Sequence, residues 1–258
     1  MATARVVREM TTTTTRVPST RTSRIAAVDV LRGVAIIAVI AYHLTWDLGS
    51  LDLIGTDISH TATGRGIAHA IAGTFLTLVG VSLVLAHRDG FRARSFWRRE
   101  IEIIGYAALV TLATYVTFPS EFVSFGILHS IAVSSVLALP FVWASKTTAI
   151  GAAGLAVLLP RMVTIPGDSR WWSWTGLTEG AQPTMDNAPV LPMFALTLAG
   201  LVVTRMLHEQ GRLEVLSRWR AERGAGGALS FLGRHTLAIY LLHQPILLGV
   251  LHAYDWLR

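Results

Sequence analysis

Seven apolar stretches, most of them long enough to cross a lipid bilayer, leave this sequence few folds to choose from. They run over residues 28–49, 66–87, 101–118, 123–143, 148–162, 189–207 and 229–253, and the fifth, TAIGAAGLAVLLPRM, is short. A spanning helix needs about 20 mainly apolar residues, and inside hydrocarbon every backbone N–H and C=O must find its partner within the chain. The pattern predicts an all-α integral membrane protein built as a bundle of about seven transmembrane helices. Composition agrees: 15% of the residues are charged, against about 25% in soluble domains, and the mean hydropathy is +0.51.

The connections alternate in charge. Residues 1–24 are rich in Arg and Thr, HRDGFRARSFWRRE follows the second stretch, and TRMLHEQGRLEVLSRWRAERG follows the sixth. Between them lie GSLDLIGTDISHTATGRG, FPSEF and IPGDSRWWSWTGLTEGAQPTMDNAP, which carry little positive charge. Positive-inside logic therefore predicts a cytoplasmic N-terminus and an external C-terminus. Residues 1–24 have no apolar signal core and read as a disordered cytoplasmic tail, which leaves 25–258 as one polytopic transmembrane domain. Leu and Trp spacing after the sixth stretch predicts an amphipathic helix lying on the membrane surface.

Several function classes drop out. The net charge of +6 sits in short blocks between spans, where it sets topology rather than binding nucleic acid. Cysteine is absent, so disulfides, thiolate metal sites and a cysteine nucleophile are excluded. No HxH or HxxxH pair is present, and no metal is expected. Ser82, in GVSLV, lacks the closing Gly of a nucleophile elbow. A retinal-type Schiff base would need a lysine in the last span, and the one lysine is Lys146, in a loop. Abundant Arg and Ala with a single lysine suggest a bacterial chain of GC-rich composition, hence a multi-pass protein of the plasma membrane.

The first stretch, DVLRGVAIIAVIAYHLTWDL, carries Asp29, Arg32, His43 and Asp47. At about 100° per residue, Arg32 and His43 share a helix face, His43 and Asp47 stand one turn apart, and Asp29 lies within a turn of Arg32. The four form one stripe, with Arg32 and His43 roughly 16 Å apart along the axis. Arg32 taken alone could simply snorkel to the headgroups, with Asp29 pairing or capping; Asp29 and Gly33 read as helix-boundary residues. His43 and Asp47 are different, because ionisable groups within spans face the bundle interior and mark function. By topology, His69 of the second span, His129 of the fourth and His243 of the seventh reach the same outer half of the bilayer. Thr236, Tyr240 and His243 share one face. Histidine with a carboxylate suits general acid–base chemistry. At the inner end, Arg32, Arg234, His235 and the arginines from Arg88 to Arg99 could meet phosphate.

RIAAVDVLRGVAIIAVIAYHLTWDL resembles the first-helix signature of the heparan-α-glucosaminide N-acetyltransferase catalytic-domain family. FGILHSIAV, LPMFALTLAGLVV and LSFLGRHTLAIYLLHQPILL are similar to its later blocks, so the resemblance covers about residues 24 to 253. The Arg32-to-His43 spacing also resembles the acyltransferase-three membrane O-acyltransferases. The resemblance implies that acetyl-CoA or another acyl-CoA docks from the cytoplasm and that its acyl group passes to an acceptor on the far side. On that footing His43 is the general base or an acylated intermediate, with Asp47 orienting it. Arg32 and Arg234 face the donor, and His129, His243, His69 and Tyr240 meet the acceptor or the thioester carbonyl. An envelope glycan, lipid-linked glycan or amino sugar is the expected acceptor, and a homo-oligomer is compatible with this reading. The same His and Asp residues would also serve a proton-coupled transporter. No internal repeat and only one broken span, at Pro245, stand against that alternative.

Overall fold

The computed structural model describes residues 25–51, 53–55, 61–180, 182–221 and 223–257, apart from the side chain at 255. The tail read as disordered, 1–24, lies outside the described residues. The described residues form, in order, α1 (Ala26–Ser50), α2 (Ala62–His87), α3 (Ala93–Thr117), α4 (Ile127–Ala138), α5 (Lys146–Met162), α6 (Arg170–Ser173), α7 (Val190–Glu209), α8 (Arg212–Arg218), α9 (Gly224–Arg234) and α10 (Thr236–Leu257). Among the described residues there is no strand beyond two isolated bridges, Phe125 to Asn187 and Ile165 to Thr178.

Among the described residues, five helices are long and apolar enough to cross a membrane: α1, α2, α3, α7 and α10. The fourth and fifth expected spans are shorter. Pro140 turns the end of α4 into a 3₁₀ segment, Leu139–Val142, and the apolar helix closes at Val142. α5 has 17 residues with Pro160 inside it. At 1.5 Å per residue it reaches about 25 Å, less than the roughly 30 Å of a hydrocarbon core. The seventh stretch, expected as one helix over 229–253, is two. His235 leaves helical geometry with ψ 17, closing α9 and letting α10 start at Thr236. α3 begins well before the apolar run, so its first two turns carry Arg94, Arg98 and Arg99. The surface helix expected after the sixth stretch is the short α8, with Val215 and Trp219 exposed near it.

Side-chain oxygens start several of these helices. Thr61 accepts from the Gly64 amide at 2.9 Å at the head of α2, and Ser145 accepts from Thr148 at 3.0 Å at the head of α5. Large apolar side chains then face outward along whole helices, as with Ile101, Leu112 and Val116 of α3. Such a surface would aggregate in water and suits lipid.

Two crossings built on small residues hold the bundle together. α2 and α7 pack through Gly80 and Gly200: a Cβ on Gly80 would lie 1.9 Å from the Thr197 carbonyl, and one on Gly200 2.2 Å from that of Thr77. α1 and α9 pack through Gly33 and Gly233, where added carbons would lie 2.0 Å from the Leu229 oxygen and 1.7 Å from the Asp29 oxygen. Gly33 is therefore a crossing point inside α1 and not a boundary residue. Gly80→Ala is expected to cost about 1–3 kcal/mol through overpacking. Gly151→Ala, with nothing within 4 Å of the new carbon, is expected to be neutral or to gain up to about 1 kcal/mol. Thermal midpoints of the two purified variants check this.

Candidate functional site

α1, α2, α3, α4 and the α9–α10 junction enclose a cavity of about 830 Å³. One end is cationic: Arg32, Arg92, Arg98, Arg99 and Arg234 line it, with Asp29 and Glu102 among them. This clustering follows from chain direction, since α1, α3 and α10 all begin there and α2 and α9 end there. Arg32 is held from two sides, by the Asp29 carboxylate at 3.2 Å and by the Ser82 hydroxyl at 2.5 Å. Ser82 thus has a tethering role that its failed nucleophile motif did not suggest. Arg234 donates to Ser230 at 2.8 Å. The walls further in are apolar, from Phe75, Leu78, Val79 and Ile103, and the far end closes on Ile127, Leu128 and Tyr240.

Beyond Tyr240 lies a carboxylate that sequence reasoning missed. Asp186 comes from the long connection between α5 and α7. That connection is fastened to the turn between α3 and α4: Met185 N–H donates to Glu121 O at 2.9 Å and Thr184 Oγ1 to Phe122 O at 3.0 Å. Arg170 stacks 4.3 Å over the Phe122 ring and donates to the Phe122 carbonyl at 3.2 Å. Thus placed, Asp186 Oδ2 accepts from the Ile127 amide at 2.8 Å, at the head of α4, and from the Tyr240 hydroxyl at 3.4 Å. Gly126 makes room for it, since a Cβ there would lie 2.2 Å from Oδ2. Burial pushes the Asp186 carboxyl above the usual carboxylate range, while the Ile127 amide and the Tyr240 hydroxyl pull it down.

His129 borders the same place. Its Nδ1 accepts from the Gly126 amide at 3.3 Å, which leaves Nε2 as the N–H of a neutral ring, 3.4 Å from Thr111 Oγ1. The ring is first of all a cap for α4.

One turn beyond Tyr240, α10 presents His243 to α1. The His43 and His243 rings meet edge to face with centroids 4.9 Å apart, and the Tyr240 ring lies 5.4 Å from that of His243. His243 Nδ1 is 2.6 Å from the Tyr240 carbonyl oxygen, which can only accept. Nδ1 therefore carries the proton, and Nε2 of the neutral ring is a lone-pair acceptor. Asp47, 1% exposed, accepts from Gln244 Nε2 at 2.7 Å through Oδ1. Among the described residues, His243 Nε2, Asp47 Oδ2, Gln244 Oε1 and His43 Nδ1 are buried without a hydrogen-bond partner. Three of those four are acceptors, so each is suited to a donor such as a hydroxyl, an amine or water.

The residues singled out from sequence therefore divide. Arg32, Asp29 and Arg234 lie at the cationic end and Tyr240 at the far end of the cavity. His43, His243 and Asp47 form a neighbouring buried polar cluster outside its walls. Asp47 does not orient His43 here, because Gln244 occupies it and His43 Nδ1 has no partner. His69 is not brought in: it is exposed on α2, with Nδ1 2.6 Å from the Arg65 carbonyl of its own helix. Among the described residues no group of three His, Asp or Glu side chains could hold a metal ion. Gln244 was also missed, although it was legible as a polar residue inside an apolar span and next to a histidine. Asp186 was not legible, because nothing in PTMDNAP ties that acid to a helix sixty residues upstream.

The sequence model of the family described as heparan-alpha-glucosaminide N-acetyltransferase, catalytic, matches residues 24–245. No curated protein and no solved structure matches the chain. The matched stretch begins just before α1 and ends one residue after Gln244, so it contains the cavity and the polar cluster.

Proposed function

The chain belongs to the heparan-alpha-glucosaminide N-acetyltransferase catalytic family, and from that membership we propose that it moves an acetyl group from cytoplasmic acetyl-CoA to an amine or hydroxyl of an envelope glycan or amino sugar. The observation that carries this reading is the cavity, cationic at one end and bounded at the other by Tyr240, which stands between it and His243. An arginine-rich opening suits the phosphates of a nucleotide-bearing donor, since guanidinium groups bind phosphate with paired, charge-assisted bonds. The apolar length behind it suits a pantetheine arm, and Tyr240 meets the thioester. On this reading the cationic end faces the cytoplasm of a bacterial cell and the connections bearing Asp186 face outward, in keeping with the charge of the loops.

The chemistry is acyl substitution. The acceptor nitrogen or oxygen attacks the thioester carbonyl and hands its proton to His243 Nε2, the oriented lone pair beside Tyr240. His43 packs against the ring that becomes charged. The Tyr240 hydroxyl, 3.4 Å from Asp186, is free to swing its weak bond toward the carbonyl oxygen as negative charge develops there. The carbon–sulfur bond then breaks, and the CoA thiolate leaves to be protonated on the cytoplasmic side. This moves the base from His43 to His243, for a geometric reason: His243 touches the residue that lines the cavity, and His43 lies one ring further away.

Acetyl-CoA binding to purified protein tests the donor. Arg32→Ala and Arg234→Ala are each expected to raise Kd by about tenfold or more, the scale of one charge-assisted hydrogen bond. If acetyl-CoA does not bind the folded protein, the donor assignment falls, and the transporter that uses the same His and Asp residues becomes the reading to pursue.

A further inference from the structure

Tyr240 and Leu128, which line the cavity, also line a second, far smaller space of about 10 Å³. A space of that size admits one water-sized group. Its apolar wall is Ala107 and Val110 of α3 with Val123 of the following turn, and its polar wall is His129 and Asp186. The walls have little slack. Ala107 and Val123 are 2% and 3% exposed, and Thr111, one residue after Val110, pins the turn by donating to the Val123 carbonyl at 2.7 Å. His129 and Asp186 are both engaged at the head of α4. A methyl group beside a polarised carbonyl matches this half-apolar, half-polar lining.

We infer that this space is the end of the acyl pocket, that it takes the methyl group of an acetyl unit and excludes longer chains, and that Val110 and Val123 set the limit. The inference rests on the donor reading given above. With the thioester carbonyl at Tyr240, the sulfur and the pantetheine arm occupy the large cavity, and only the methyl passes beyond the ring. Each further methylene would have to displace a valine, the Asp186 carboxyl or the α4 cap. Selection therefore acts on the acyl chain while the CoA portion is shared by every donor. One methylene too many in a tight apolar pocket is worth about 10–200-fold in turnover.

The test uses the full chain in lipid nanodiscs with acetyl-, propionyl- and butyryl-CoA. Binding and release of free CoA are measured without an acceptor, so that water attacks the thioester and yields the carboxylic acid and the thiol. Wild type is expected to cleave butyryl-CoA at least about a hundredfold more slowly than acetyl-CoA. Val110→Ala and Val123→Ala are each expected to shrink that ratio by about tenfold. A wild type that handles butyryl-CoA as well as acetyl-CoA overturns the pocket assignment on its own, whether or not either variant folds. Folded variants that cleave acetyl-CoA with the wild-type ratio overturn the role of the two valines. Folded wild type that binds no acyl-CoA of any length removes the donor reading itself, a result distinct from binding without chain-length selection.

Discussion

His243→Ala is expected to lower acetyl transfer by about a thousandfold, within the range that a positioned general base supplies, with acetyl-CoA binding unchanged. The split between turnover and binding follows from position. His243 faces α1 and touches the Tyr240 ring, and it takes no part in lining the cavity. His43→Ala is expected to do less, about tenfold to a hundredfold, because its ring is a neighbour of the base and lies farther from the reacting carbonyl. Single-turnover assays with labelled acetyl-CoA and an amino-sugar acceptor distinguish the two. Equal losses in both variants would favour a relay over a single base, and a His43 effect larger than that of His243 would return the base to α1.

Tyr240→Phe is the second large effect, a loss of about 10²–10³ in turnover, the scale for one donor aimed at developing negative charge. Asp186 enters through the same hydroxyl and also through stability. Its carboxyl is pushed up by burial, so the folded protein keeps a proton that the unfolded chain has already released. Stability is therefore greatest below the ordinary carboxylate pKa and declines as pH rises through the interval up to the raised value. In Asp186→Asn that decline is expected to disappear, giving a flatter thermal midpoint as pH rises above about 4. Asp186→Ala removes the acceptor of the Ile127 amide and is expected to cost about 1–3 kcal/mol at every pH. An Asp186→Asn midpoint that follows the wild-type pH curve would remove the carboxyl from this role.

What could be read from the sequence was whatever depended on neighbours along the chain. Asp29 and Arg32 are three residues apart on one helix, and their pairing needs no partner element. The meeting of His43 with His243 was approachable because depth in a membrane is set by counting residues from each end of a span. Depth is only one coordinate, though. His69 lies on α2 at a depth that looked right, yet it is exposed and turned to its own backbone, because rotation about the axis is settled by which face packs. The break at His235 gave no warning, since the apolar pattern continues across it and no proline marks it. Asp186 depended on a folded loop whose anchor, Arg170, sits among tryptophans that read as an interfacial belt. The partners of Asp186, the Ile127 amide and the Tyr240 hydroxyl, lie far along the chain, and no spacing rule reaches them.

The helix break at His235 divides the site by anchorage. α9 is locked to α1 at the Gly33–Gly233 crossing, whereas α10, which carries Tyr240, His243 and Gln244, is the least buried of the five spanning helices. Much of what surrounds α10 is therefore not this protein. In a bilayer the acyl chains press on its outer face and restrict how far it leans from α1; in a detergent micelle that lateral pressure is absent. The alignment of base and carbonyl is then a joint property of the chain and its solvent, and membrane thickness becomes a variable of the reaction.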